Sequence, residues 1–339
     1  MNQEKDLLFE KAMDNVPGQN VLVCPLDWGL GHAARCVPII KALEARGKNV
    51  LLAADGFPLE FLKQEFPHLE HISFPGFKVK YATDDNQMGA MFAQLPHFLK
   101  GIRQEHRAIK KICAQYQIDT VISDNRFGLW NKRVHSIYMT HQLVVKMPIK
   151  WHKLEKLVWF VHRLFINQYN TCWIPDFPNH ENLTGELTHK YKLPKKAQFI
   201  GILSRFSSTL EVSGHSPYET IALISGPEPH RSILENKLIK HLQKSLFPSL
   251  IVRGVPSQQT EEVNILNVKL LSHLDTPTLQ SLIASTPTVI CRSGYSTLMD
   301  LVSLDKKAIL IPTPGQTEQE YLAEHMKIMG FTTLSQDEI

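Results

Sequence analysis

The 339-residue sequence lacks the features that mark several classes of protein. No apolar run is long enough to cross a membrane, and Met1–Gln19 is too polar for a secretory leader, so we expect a cytoplasmic protein. The five cysteines are odd in number and scattered without metal-ligand spacing, which favours reduced, buried thiols. The net charge is only +4 and no arginine-rich tract with interleaved aromatics occurs, which argues against nucleic acid as a partner.

Two further absences narrow the chemistry. No Asp-x-Asp carboxylate pair occurs, so a metal-bridged diphosphate is not indicated, and we expect neither a metal nor a cofactor. A dinucleotide-binding turn would carry a third glycine after Gly29 and Gly31, but Ala34 and Arg35 occupy that region. Hydrophobic residues make up 43% and charged residues 21%, which is typical of a globular protein, and the length suits two domains.

Short apolar strands alternate with helical patterns along the chain. We predict strands at 20–24, 50–53, 69–74, 119–123, 136–139, 171–174, 219–224, 250–252, 264–271, 288–291 and 308–311. Unbroken apolar strands separated by helices indicate a parallel sheet that is covered on both faces. The prediction is an α/β protein of two doubly wound, Rossmann-like domains facing across a cleft. Its parts are a polar segment at 1–19, an N-terminal domain at 20–178, a linker at 179–198 and a C-terminal domain at 199–339.

The most informative stretch is 288–321, where two strand–turn–helix units follow each other. The first turn, Arg292–Thr297, offers backbone N–H groups, hydroxyls and a guanidinium at a helix N-terminus, which suits a phosphate. The second turn, Pro312–Gly315, should lie at the same carboxyl edge of the sheet, where open α/β sheets bind ligands. Simpler roles remain open: a surface ion pair for Arg292, and helix capping for the three hydroxyl residues, Ser293, Ser296 and Thr297.

A second turn of interest, Gly29-Leu-Gly-His32, follows the first predicted strand and ends in a histidine at a helix start. The positive end of the helix dipole favours the neutral imidazole, which leaves a base available at neutral pH. The alternative is that His32 only caps the helix.

Together these motifs resemble the GT-B glycosyltransferases of family 28, which include the lipid II-forming peptidoglycan N-acetylglucosaminyltransferases. The family's Cys-Arg-Ser-Gly motif stands at Cys291–Gly294, and its glycine-rich turn ending in His matches Gly29–His32. Its Gly-x-x-x-Arg segment, which contacts the diphosphate, matches Gly201–Arg205.

The resemblance implies that His32 is the catalytic base and that a set of mainly C-terminal residues binds the donor. These are Gly29, Gly31, Arg205, Ser225, Gly226, Arg231, Arg292, Ser293, Gly294, Tyr295, Ser296, Thr297, Asp300, Gln316, Gln319 and Glu320. Asp300 stands where the family has a Glu for the ribose hydroxyls, and Glu320 replaces one Gln of the sugar-contacting pair. Pro227 and Pro229 remove N–H donors from the loop after the first C-terminal strand, and Arg231 is alternatively a solvated helix residue.

The expected activity is metal-independent, inverting hexosyl transfer from a nucleotide sugar, UDP-linked, to a sugar, glycan or lipid-linked acceptor. A second resemblance competes with it, because Gly29–Cys36 is similar to the turn of nucleotide-sugar hydrolases of pseudaminic acid synthesis. In those enzymes the histidine activates water. A non-catalytic nucleotide-sugar binder is the third possibility.

The stretch 150–169 combines apolar and aromatic residues with lysines and an arginine. Such a helix can lie on an anionic membrane, here at its inner face, or receive a lipid acceptor. The alternative is a helix buried in the core.

Overall fold

The computed structural model describes residues 2–76, 87–206, 214–226, 228–255 and 260–339. The chain divides into two compact units, Met1–Leu203 and Ser204–Ile339. Residues 179–198, predicted as a linker, therefore fall within the first unit. The reason is that the segment ends in a strand, Ala197–Phe199, which pairs with the sheet of that unit. Within the described ranges, no helix is both long and apolar enough to span a bilayer.

The first unit contains a seven-stranded parallel sheet with the order β3-β2-β1-β4-β5-β6-β7. The strands are β1 (Asn20–Pro25), β2 (Asn49–Ala54), β3 (Glu70–Ser73), β4 (Thr120–Asp124), β5 (His135–Met139), β6 (Thr171–Ile174) and β7 (Ala197–Phe199). The helices are α1 (Asn2–Asp14), α2 (Leu30–Ala45), α3 (Gly56–Glu65), α4 (Gln87–Gln115), α5 (Glu155–Ile166) and α6 (Glu186–His189), and a 3₁₀ helix spans Ile149–Leu154.

The second unit contains a seven-stranded sheet with the order β10-β11-β9-β8-β12-β13-β14, in which only β10 runs antiparallel. The strands are β8 (Thr220–Leu223), β9 (Ser249–Val252), β10 (Glu262–Ile265), β11 (Val268–Leu271), β12 (Thr288–Cys291), β13 (Ile309–Leu310) and β14 (Thr332–Thr333). The helices are α7 (His230–Leu242), α8 (Thr276–Ser285), α9 (Tyr295–Ser303) and α10 (Thr317–Met326), and a 3₁₀ helix spans Lys327–Met329.

Both sheets reverse their winding direction beside their first strand. In the first unit β1 pairs with β2 on one side and with β4 on the other. In the second unit β8 pairs with β9 on one side and with β12 on the other. Connections on the two sides of such a strand diverge and leave a crevice at the carboxyl edge, which is where doubly wound sheets bind ligands.

The core forms because the central strands are apolar on both faces. Residues 21–25 of β1 are all buried, and α2 packs against the sheet with buried residues that include Ala33, Cys36, Val37 and Ile40. All five cysteines are free thiols in buried positions. Burial raises the pKa values of Cys24, Cys172 and Cys291 each to about 12. The expected burial of the cysteines is thus confirmed.

Two differences from the predicted elements have local causes. The single strand predicted at 264–271 is a hairpin, β10–β11, whose turn contains Leu266 with a positive φ of 55°. Leucine seldom adopts this conformation, so the sequence carries no turn signal. The turn is instead held by Asn267, whose amide donates to the carbonyl of Phe247 at 2.9 Å. The edge strands β7 and β14 were not predicted, because two or three residues give no periodicity.

Candidate active site

In the first unit, His32 lies in the crevice beside β1 and contacts a buried carboxylate. It is the third residue of α2, and its Nδ1 lies 3.0 Å from Oδ2 of Asp124, the last residue of β4. The N-cap of α2 is Gly29 and no side chain caps the helix, so the capping role considered for His32 is not observed. The ring is 18% exposed and the carboxylate is fully buried. The geometry is that of an imidazole oriented by an acid.

Two further buried side chains complete this cluster. Arg35, one turn after His32, donates from Nε to Oδ2 of Asp124 at 2.8 Å and from Nη2 to the other carboxylate oxygen. Its Nη2 also lies 2.9 Å from Nδ1 of His32, and its Nη1 lies 2.7 Å from Nδ1 of His141. Arg35 and His141 are 1% and 5% exposed.

The charges in the cluster balance each other. Burial raises the pKa of Asp124, but the Arg35 guanidinium and His32 outweigh this effect and lower the pKa to about 2. An unpaired carboxylate in such a position would be protonated, because desolvation penalises the charge. Asp124 is therefore an ionised, buried acceptor next to His32.

Sequence reasoning identified His32 but missed Asp124, Arg35 and His141. Asp124 had a recognisable signal, since a carboxyl residue ends a strand at the ligand-binding edge. Arg35 stands three residues after His32, and residues at this spacing are neighbours on a helix face. His141 follows the end of β5, and only the pairing of β4 with β5 shows that this end lies next to Asp124.

In the second unit, the turn after β12 is held from behind by Arg292. The side chain is fully buried and donates to the carbonyls of Pro312 at 3.0 Å and His230 at 2.9 Å. It also donates to Oε1 of Gln336 at 2.7 Å, and burial lowers its pKa to about 10. A fully buried side chain does not form the surface ion pair considered for Arg292, and its contact with the donor stays a prediction. Arg292 joins the loops that follow β12 and β13.

The residues after Arg292 present backbone at the start of α9. Gly294 is the N-cap, with no side-chain cap bond, and Tyr295, Ser296 and Thr297 form the first turn. Ser293 is buried and its hydroxyl donates to the carbonyl of Gln319 at 2.7 Å, so it does not cap the helix. A Cβ built on Gly294 would meet no atom within 4 Å. The start of α9 therefore adjoins open space at Gly294, and the first N–H groups of a helix find no acceptor within the helix itself.

The predicted sugar-contacting pair holds the neighbouring loop. Oε1 of Gln319 accepts from the backbone N–H of Thr313, and Oε1 of Glu320 accepts from that of Gly315, each at 2.9 Å. Gln316 is the N-cap of α10 and uses no side-chain cap bond. These contacts fix the turn after β13 beside the turn after β12.

The loop after β8 forms the other side of this crevice. Ser225 and Gly226 are exposed, and Gly226 has a φ of 107°, which favours glycine. Glu228 accepts from Nε of Arg231 at 2.8 Å and from the N–H of Ser232 at 3.2 Å, so a carboxylate of the protein already occupies the start of α7. The first turn of α9 has no acidic residue, and phosphate binding there stays a prediction.

Two prolines and one threonine complete the description of this crevice. Pro227 lies outside the described residues, whereas Pro229 is the N-cap of α7. Sequence reasoning missed Thr313, which is buried and whose hydroxyl has no hydrogen-bond partner in the described part of the chain. A Cβ on Gly226 would lie 3.9 Å from that hydroxyl, so Thr313 adjoins the loop after β8.

Arg205 and Asp300, two of the predicted donor-binding residues, lie next to each other in the structure. Nε of Arg205 lies 3.4 Å from one oxygen of Asp300, and the Ser204 hydroxyl donates to the other at 2.7 Å. Burial raises the pKa of Asp300, and the Arg205 charge and the Ser204 bond oppose this rise. Contacts to ribose and diphosphate stay predictions for this pair.

The C-terminal region matches a known family. Residues 251–334 match the model of the glycosyltransferase family 28 C-terminal domain. Over 314 residues the chain is 24% identical to the UDP-N-acetylglucosamine--N-acetylmuramyl-(pentapeptide) pyrophosphoryl-undecaprenol N-acetylglucosamine transferase of Sulfurihydrogenibium sp. (strain YO3AOP1), with 91% of this chain and 82% of that protein covered. The transferase of the same name from Natranaerobius thermophilus is 24% identical over 315 residues, with 88% and 81% covered.

Solved glycosyltransferase structures share the fold. SnogD from Streptomyces nogalater superimposes with a TM-score of 0.59 at 13% identity, covering 95% of this chain and 88% of that one. The spinosyn rhamnosyltransferase SpnG gives a TM-score of 0.61 at 13% identity, covering 93% and 86%. SpnG has also been solved with thymidine diphosphate, and that structure gives a TM-score of 0.59. The predicted pair of doubly wound α/β domains of the GT-B type is confirmed, as is the resemblance of the C-terminal domain to family 28.

Because Asp124 is buried and ionised, we expect the free energy of unfolding to depend on pH. Its pKa is about 2 in the folded protein, whereas an unfolded aspartate titrates near about 3.9. The stabilisation is therefore complete above about pH 4 and is lost as the pH falls toward about 2. Between about pH 5 and about pH 2, the free energy of unfolding of the wild type should fall by about 2–3 kcal/mol more than that of Asp124→Asn.

Tryptophan fluorescence during urea unfolding is the suitable probe. All five tryptophans lie in the first unit, at Trp28, Trp130, Trp151, Trp159 and Trp173, so the signal follows the unit that contains Asp124. A difference between the two proteins that stays constant across the pH range would contradict an ionised carboxylate in the folded state.

Proposed function

We propose that this protein is a nucleotide-sugar-dependent glycosyltransferase that transfers a hexosyl group from a UDP-linked donor to an acceptor hydroxyl. The observation that carries the proposal is the contact of His32 with the buried carboxylate of Asp124. With Nδ1 engaged, Nε2 is the ring nitrogen left to take a proton, and no partner for it is found among the described residues. Such an imidazole serves as a general base.

The proposed reaction is a single displacement. The acceptor hydroxyl gives its proton to Nε2 of His32, and its oxygen attacks the anomeric carbon as the bond to the diphosphate breaks. One displacement inverts the configuration at that carbon. Negative charge grows on the leaving diphosphate, so the site needs dipoles and cations aimed at it. The N–H groups at the start of α9 and the Arg205 side chain are suited to this role.

The similar proteins guide the choice of donor and acceptor. The two transferases that match most of the chain carry N-acetylglucosamine from UDP to a pyrophosphoryl-undecaprenol acceptor, according to their names. On this basis we propose a UDP-linked N-acetylhexosamine as the donor of this protein and a lipid-linked molecule as its acceptor. Glu320, which stands where the family has Gln, is the residue at which the sugar preference would differ.

Arg35 favours the hydrolase as a second candidate. The turn Gly29–Cys36 has the arginine of the hydrolase motif, and that arginine contacts both the carboxylate and the base. Water would then replace the acceptor hydroxyl at Nε2 of His32. Release of free sugar from the donor without any acceptor would identify this activity, and an intact donor after long incubation would identify a binder without catalysis.

Contact with an anionic membrane is proposed for the surface of α5. Leu157, Phe160, Val161 and Leu164 are exposed on this helix at spacings of three and four residues, which place them on one face. Only Glu155, His162 and Ile166 are buried, so the alternative of a core helix does not fit. The cations of this segment are Lys150, Lys153, Lys156 and Arg163. An apolar face bordered by cations suits a bilayer that holds a lipid-linked acceptor.

The donor assignment is tested by calorimetric titration with nucleoside diphosphates. UDP should bind at least about tenfold more tightly than ADP or GDP. Gly294→Ala should weaken UDP binding by at least about tenfold, because the added methyl enters the open space at the start of α9. Its stability should not change, since Gly294 has a φ of −71° that alanine adopts readily.

Gly330→Ala is the matched control within the same unit. Gly330 has a φ of 82°, which alanine tolerates poorly, and only the far end of Lys307 lies near its Cβ position. This variant should lose stability and keep its UDP affinity. Equal affinities for all three diphosphates, or unchanged UDP binding by Gly294→Ala, would refute the proposed donor site.

The role of His32 is tested by turnover of UDP-N-acetylglucosamine with a lipid-linked acceptor. His32→Ala should reduce kcat by about 10²–10⁴-fold, which is the usual contribution of a general base. UDP affinity should stay unchanged, because the donor contacts proposed for UDP lie in the other unit. Undiminished turnover by this variant would exclude His32 as the base.

The membrane contact is tested by co-sedimentation with phosphatidylcholine vesicles that contain phosphatidylglycerol. Binding should weaken as salt rises, since screening reduces attraction to the anionic lipid. The double change Leu157→Glu and Leu164→Glu should abolish binding. Leu7→Glu with Leu246→Glu is the control, because both leucines are exposed and the change in charge is the same. Equal losses for both double variants would contradict a specific contact through α5.

A further inference from the structure

Arg35 contacts every other member of the cluster around His32. Its guanidinium forms a two-pronged bond to Asp124 through Nε and Nη2. Nη2 also approaches His32, and Nη1 approaches His141. A guanidinium is planar and carries five N–H donors in fixed directions, so one rigid group sets the positions of three partners.

The contact with Arg35 determines where His141 carries its proton. An arginine donates hydrogen bonds and accepts none. Nδ1 of His141 lies 2.7 Å from Nη1 of Arg35, so this ring nitrogen must be the acceptor and bear no proton. The proton of the neutral ring is then on Nε2, and His141 is buried in this tautomer.

His32 is placed in the opposite tautomer by the same cluster. Its Nδ1 faces a carboxylate oxygen of Asp124 at 3.0 Å. An ionised carboxylate only accepts hydrogen bonds, so this contact requires a proton on Nδ1, and in the neutral ring Nε2 then carries none. The N–H of Arg35 that approaches Nδ1 of His32 would favour the reverse, but Arg35 has the carboxylate as a stronger acceptor.

We infer that Arg35 is a positioning residue. Held in place by His141, it fixes Asp124 so that Nε2 of His32 stays unprotonated and can act as the base. The role of His32 as a base rests on the proposed function, whereas the hydrogen-bond geometry that sets its tautomer does not. His141 acts through Arg35, as the acceptor that fixes the outer end of the guanidinium. The base is thereby set in its reactive form before any substrate binds.

The variant Arg35→Lys tests whether the positive charge at residue 35 suffices or whether the planar hydrogen-bond geometry of arginine is needed. Lysine keeps the positive charge beside Asp124, but a single ammonium cannot form the planar fork and reach His141 as well. The variant should fold, as judged by tryptophan fluorescence, and show a kcat at least about tenfold lower with an unchanged KM for the donor. A wild-type kcat in Arg35→Lys would overturn the inference, because charge alone would then suffice.

A pair of His141 variants tests the bracing contact. In His141→Asn the amide oxygen can replace Nδ1 as the acceptor for Arg35, whereas His141→Leu offers no acceptor. The asparagine variant should retain most of the wild-type kcat and the leucine variant should resemble Arg35→Lys. Equal loss in both variants would overturn the bracing role and indicate that His141 acts through Nε2.

The tautomers can be read directly by long-range ¹⁵N–¹H spectra of protein labelled at histidine, at neutral pH and without nucleotide sugar. His32→Ala and His141→Asn assign the two rings by loss of their signals. We expect a protonated Nδ1 with a bare Nε2 for His32, and the reverse for His141. In Arg35→Lys, the signals of His141 should change to a mixture of tautomers.

The spectra test the inference about Arg35, and the kinetics test the proposed function, so the two can be refuted separately. Opposite tautomers in a wild type that turns over no donor would support the inference and refute the proposed function. A protonated Nδ1 on His141, or a bare Nδ1 on His32, would overturn the inference even in an active transferase.

Discussion

The parallel backbone ladders that join β1 to β4 and β8 to β12 determine where the chemistry of each unit can lie. Parallel strands all end at one edge, and a first strand with neighbours on both sides leaves a crevice there. Through the β1–β4 ladder, Asp124 lies beside Pro25, from which the chain turns toward His32. Through the β8–β12 ladder, Cys291 lies beside Leu223, so Arg292–Gly294 and Ser225–Gly226 extend from neighbouring strands.

A buried arginine supports each crevice, and the two arginines do so in different ways. Arg35 faces an ionised carboxylate, so its charge is neutralised and the carboxylate in turn orients His32. Arg292 faces carbonyl and amide oxygens, which accept from its Nη1 and Nη2 without cancelling the charge, while its buried Nε has no hydrogen-bond partner among the described residues. The first arrangement suits an imidazole that gains a proton during reaction. The second leaves positive potential behind a loop that is proposed to receive a diphosphate.

The fold was largely predictable, because apolar strands and amphipathic helices alternate along the whole chain. The candidate sites could be proposed from sequence where a turn has a distinctive composition, as at Gly29–His32 and Cys291–Gly294. Sequence alone could not show that Arg292 points inward, since burial depends on the carbonyls of loops far along the chain. For the same reason it could not find His141, which meets Arg35 only through the pairing of β4 with β5. Long-range contacts of single polar side chains leave no periodic pattern.

The burial of all five cysteines shields their thiols from oxidants in solution. Oxidation to sulfenic acid and mixed disulfides starts from an exposed thiolate, and thiols with pKa values raised to about 12 offer almost none at neutral pH. Cys291 ends the strand that leads into the α9 loop, so oxidation there would disturb the proposed donor site directly. The burial of Cys291 therefore protects this loop from oxidation at its one thiol.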